Sequence, residues 1–121
     1  MITELIKQKA EQYRPELIAF RRDLHQHPEL SMQEHRTAQK IAEQLSKLEG
    51  MQVIPQVAGG TGVIGILHGK KGEGKTVLLR ADIDALPIEE NTGLACTSQE
   101  TGVMHACGHD GHTSWLLGSA K

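Results

Sequence analysis

Five side chains able to hold a metal ion crowd into the stretch Met104-His-Ala-Cys-Gly-His-Asp-Gly-His112: His105, Cys107, His109, Asp110 and His112. Thiolate and imidazole are the ligands a borderline-soft ion such as Zn²⁺ prefers. In extended backbone Cys107 and His109, two positions apart, point the same way, and Gly108 and Gly111 permit tight local geometry. A helix is predicted to begin near His109, and its free N–H groups and positive dipole end would favour the thiolate form of Cys107. Spacing alone leaves a second reading open. Cys107 could be a small buried hydrophobe, with histidines that are solvated or capping; His112, one turn after His109, could equally be a surface residue.

A second cluster is Arg80-Ala-Asp-Ile-Asp-Ala-Leu-Pro87. Asp82 and Asp84 alternate at strand spacing and so share one face. They fall at the C-terminal end of a predicted strand, where an open α/β sheet presents its site. Such carboxylates can orient a ligating histidine or tune a general base. The competing reading makes them turn or capping residues, or pairs one with Arg80. A third cluster, Arg21 to Leu30, holds His25 and His27 at a helix C-terminus, where polarisable cations are favoured in any case. These two read as structural, His35 and His68 as surface residues, and Cys96 as a free loop thiol.

The elements that must position these groups follow from periodicity. Ile2, Leu5, Ile6, Ala10, Tyr13, Leu17, Phe20 and Leu24 form one helical stripe over residues 2 to 26. Pro15 is expected to kink that helix or split it in two. Ser31 and Glu34 have capping-box spacing for a second helix, with Ala38, Ile41, Ala42, Leu45 and Leu48 inward and Gly50 as its left-handed stop. Short apolar runs at Met51–Val57 and Val63–Leu67 read as strands around a glycine turn. Thr76–Leu79 reads as a third strand, buried on both faces, which makes Gly69–Gly74 a solvated hairpin tip. A loop over roughly Glu90–Gly102 leads to the last helix. The order is that of an α/β fold with two helices, about three strands and the start of a further helix.

The chain has 121 residues with 13 basic and 15 acidic side chains, a formal net charge of −2. That is the size of one domain, and with glycine about half of its residues are apolar, enough for a globular fold. A nucleic-acid binder is not expected, because there is no basic stripe and only Tyr13, Phe20 and Trp115 are aromatic. No apolar run reaches the ~20 residues of a membrane span. The N-terminus lacks a signal-peptide h-region, and two cysteines without a framework of others read as thiols or ligands. A cytoplasmic protein is therefore expected. The last helix has no C-cap by Lys121, and the simplest expectation is the N-terminal piece of a longer protein.

Taken together and in this order, Leu24-His-Gln-His-Pro-Glu-Leu30, Arg80-Ala-Asp-Ile-Asp-Ala-Leu-Pro-Ile88 and Met104–His112 resemble the aminoacylase/carboxypeptidase-type metallohydrolase superfamily. The branch is that of the hippurate hydrolases, indole-acetyl-amino-acid hydrolases and N-acetyl-diaminopimelate deacetylases. The resemblance implies that residues 1–121 are an incomplete N-terminal portion of a zinc-peptidase-like catalytic domain, without its lid or dimerisation domain. It implies two divalent metal ions (Zn, Mn, Co or Ni), with Cys107 and His109 as the first ligands. Asp82 and Asp84 match the acidic positions, one of which orients the site. The adjacent glutamates and remaining histidines of the family would lie beyond residue 121, so that this piece alone would be inactive. The implied substrate is a small N-acyl amino acid, deacylated by metal-activated water in a full-length homo-oligomer. Two other readings stand beside it. One is a free-standing module in which His105, Cys107, His109 and His112 close a structural zinc site; the other, more distant, is a Cys–His thiol hydrolase.

Overall fold

A computed structural model describes all 121 residues. Its elements are α1 (Ile2–Gln26), α2 (His35–Ser46), β1 (Met51–Val57), a short 3₁₀ turn (Ala58–Gly60), β2 (Gly62–Leu67) and α3 (His109–Ala120). The class is α/β, as the element order predicts. No helix is long and apolar enough to cross a membrane.

Helix α1 runs unbroken through Pro15 rather than splitting. Its neighbours there are exposed, so water can take the Glu11 carbonyl that a proline cannot bond. The apolar stripe is buried only at its C-terminal end. Phe20 and Leu24 pack with Leu117 of α3, flanked by Leu17 and by Ile41 and Leu45 of α2, whereas Ile2, Leu5 and Ile6 stay exposed. Gly118 lets α3 come close to α1; a Cβ there would stand 2.7 Å from Leu17 Cδ1.

Helix α2 starts three residues later than its Ser31–Glu34 pattern suggests, and neither residue supplies a side-chain cap. The cap comes from Glu29. Its carboxylate accepts from the Arg36 N–H (3.0 Å), the Thr37 N–H (2.6 Å) and the Thr37 hydroxyl (2.7 Å), satisfying first-turn donors that the helix itself cannot. Gly50 does adopt a left-handed φ of 77°, in the turn that leads to β1 rather than at the helix end.

β1 and β2 form an antiparallel pair, with Met51 opposite Leu67 and Ile54 opposite Ile64. The register breaks between Ile54 and Val57, where Pro55 has no N–H to give. The pair lies on α2, and Gly65 leaves the room that Leu45 fills. The sheet has two strands, not three. Thr76–Leu79 makes no backbone hydrogen bond, and Val77, Leu78 and Leu79 are 80%, 81% and 62% exposed. β1 and β2 are satisfied by each other and by α2, so nothing in this chain pairs with that run, and Gly69–Gly74 is not a hairpin tip.

The segment that follows is held by single bridges instead of a ladder. The Ala85 N–H donates to the Glu29 carbonyl (2.8 Å), and Leu86 and Met104 exchange two backbone bonds of 2.9 and 3.0 Å. Residues 82–86 are thereby threaded between the end of α1 and the approach to α3. Replacing Glu29 by alanine is expected to cost about 1–2 kcal/mol of stability, read as a lowered urea midpoint with an unchanged slope. An unchanged midpoint would show that the cap is not needed.

Candidate metal centre

Gly108, at a φ of 91°, turns the chain into α3 and sets His109 in its first turn. The His109 ring is fixed from one side. Its Nδ1 lies 2.9 Å from both the carbonyl and the carboxylate Oδ1 of Asp84. Both partners are acceptors, so the Nδ1–H donates to them and Nε2 is left unengaged by Asp84. That free nitrogen stands 4.0 Å from Asp82 Oδ2. Asp82 also pairs with Arg80 at 2.5 Å, and its carbonyl accepts from the Thr113 hydroxyl at 3.1 Å, tying the acidic segment to α3. Cys107 is an exposed free thiol.

Asp84, Asp82 and His109 are thus brought together, with Cys107 two residues away along the backbone. The donor types suit a borderline ion: a thiol, an imidazole nitrogen that Asp84 leaves unengaged, and a carboxylate behind the ring. No three His, Cys, Asp or Glu side chains of this chain converge into a complete metal-binding group.

The other histidines divide. His112 is exposed and stacks towards Trp115, ring centroids 5.4 Å apart. His105 is buried, and neither of its ring nitrogens has a partner. Burial pushes its pKa below the ordinary 6.5, against the pull of Asp110. The four-ligand zinc site of His105, Cys107, His109 and His112 is therefore not assembled. His27 stays at its helix end, with Nδ1 2.9 Å from the Asp23 carbonyl, as its position predicts.

His25 differs from its sequence reading. It is 2% exposed, with Nδ1 2.8 Å from Asp110 Oδ2 and Nε2 in an ion-pair contact of 2.9 Å with Glu90 Oε1. Arg21 Nε reaches the same Asp110 oxygen at 2.8 Å. The available signal was helical spacing. Arg21 and His25 stand one turn apart beside Leu24, on the side of α1 that turns inward. Their partners, at 90 and 110, are too distant in sequence for that spacing to reveal.

Residues 78–121 match the model of Peptidase family M20/M25/M40. The chain is 48% identical over 119 residues to thermostable carboxypeptidase 1 of Saccharolobus solfataricus, covering 98% of this chain and 30% of that one. It is 46% identical over 121 residues to an N-acyl-L-amino acid amidohydrolase of Geobacillus stearothermophilus, covering 100% and 32%. Among solved structures it superposes on the Bacillus subtilis YXEP protein, described as a dinuclear metal binding peptidase of the M20 family. The TM-score is 0.83 and the identity 46%, over 91% of this chain and 30% of that one. The chain therefore spans about 30% of the length of the relatives it matches.

Glu90 gives the site a pH signature. Burial raises its pKa, but the Thr92 hydroxyl, the Ser98 N–H and the His25 ring together draw it below the ordinary 4.5. A depressed carboxyl pKa adds stability that is present above 4.5 and lost as pH falls through the folded value. The melting temperature of the wild type is expected to drop more steeply below pH 4.5 than that of Glu90→Gln. Parallel curves would contradict this.

Proposed function

We propose that residues 1–121 form part of the catalytic domain of a metal-dependent amidohydrolase that deacylates N-acyl amino acids. The observation that carries the reading is the His109 ring, pinned through Nδ1 by Asp84 and left with Nε2 free. In this reading Cys107 and His109 are the first two metal ligands. Asp84 orients His109 and raises its basicity, while Asp82 stands ready beside Nε2. Two divalent ions, of Zn, Mn, Co or Ni, would supply Lewis acidity, lowering the pKa of water and polarising the amide carbonyl. The names of relatives that share 46–53% identity with this chain, an N-acyl-L-amino acid amidohydrolase and an N-acetyl-L-cysteine deacetylase, support the substrate class.

Two ligands cannot hold two ions firmly, so the 121-residue chain by itself turns over no substrate. The remaining ligands, the general base and a lid or dimerisation domain belong to other parts of a full-length homo-oligomer that works in the cytoplasm on small molecules. The structural-zinc alternative is not favoured, since its four donors are not gathered.

In the full-length protein, Cys107→Ala and His109→Ala should each abolish amidase activity, with metal content reduced by elemental analysis. Asp84→Asn should lower metal affinity or turnover by about 10–100-fold. Wild-type turnover in either ligand variant would refute the assignment.

A further inference from the structure

We infer that His25 is a positioning residue for the proposed metal ligands, acting through Asp110. The inference rests on the metal reading above and adds a residue that lies outside the proposed ligand set. Asp110 follows His109 directly and lies three residues after Cys107. It opens α3, it is 1% exposed, and one of its carboxylate oxygens is shared by Arg21 and His25, each at 2.8 Å. Through that oxygen α1 fixes the rotation of the first turn of α3, and with it the direction of His109. Asp84 holds the ring itself through Nδ1. His109 is thus held between a direct contact on Nδ1 and a backbone that His25 and Arg21 lock.

The second nitrogen of His25 extends the clamp. Its contact Glu90 accepts from the Ser98 N–H at 2.9 Å, and the Gln99 N–H donates to the Gln26 carbonyl at 2.9 Å, one residue along α1. His25 is the side chain that touches both the start of α3 and the loop from Glu90. An interior that merely needed filling would take an aliphatic residue there, because burying an ionic cluster stabilises a fold no better than good apolar packing. What an imidazole provides here is a directed hydrogen bond to Asp110 at Nδ1, with Glu90 in contact at Nε2.

The test uses the full-length protein loaded with Co²⁺, whose ligand-field bands report geometry and whose thiolate charge-transfer band reports Cys107. His25→Gln is the main variant and Glu90→Gln the second, in case the first does not fold. Leu45→Ala, a half-buried α2 residue that flanks the apolar cluster and touches none of the ionic groups, controls for lost stability alone. For a folded His25→Gln the expected result is shifted ligand-field bands, Co²⁺ affinity weakened by about 10–100-fold, and a kcat that falls more than KM changes. Glu90→Gln should shift the same bands in the same direction by less. Leu45→Ala should leave the bands in place. A thiolate band that Cys107→Ala removes, with both cluster variants spectrally identical to wild type, would overturn the positioning role while leaving the metal reading intact. A wild-type spectrum with no band sensitive to Cys107→Ala would overturn both.

Discussion

A single carboxylate holds this fold together where it matters. Asp110 is buried between α1 and α3 and receives Arg21 and His25 on one oxygen. On these two helices three apolar side chains and four polar or charged ones are buried, so the contact between them cannot be explained by hydrophobic area alone. A charge removed from water must be compensated by fixed partners, and the partners here leave little freedom in how the helices meet. The apolar cluster of Phe20, Leu24 and Leu117 supplies attraction. The ionic cluster supplies registration.

The acidic segment 82–86 depends on that registration. It has no strand ladder, only the bond to Glu29, the pair with Met104 and the Thr113 hydroxyl. Thr113 lies on α3 and Glu29 follows the end of α1, the two helices that the Asp110 cluster joins. The geometry at His109 is consequently a product of three segments far apart in sequence.

What the sequence made legible was local. Helical periodicity located α1, α2 and the start of α3, and the glycine at 108 marked the turn into the metal-competent segment. Long-range chemistry was hidden. The α2 cap comes from Glu29 instead of the nearer Ser31, because a carboxylate outside the capping pattern reached the same donors. His25 read as a helix-end residue because its two partners lie 65 and 85 positions away. The competition between Asp82 and Asp84 for His109 was open on alternation alone, since both share a face; the structure places Asp84 on Nδ1. The apolar run at 76–79 shows the limit of such patterns: it signals a wish to be buried but not what would bury it.

That run has a consequence for the behaviour of the polypeptide in solution. Val77, Leu78 and Leu79 present apolar side chains and unpaired backbone donors side by side, next to the glycine- and lysine-rich stretch 69–75. Such a segment is a template for strand addition from any chain that approaches it, and the nearby lysines act as electrostatic gatekeepers against it. Their repulsion is screened as salt rises. Association through this run would therefore respond to ionic strength acting on a few lysines, a lever separate from the Asp110 cluster that holds the helices.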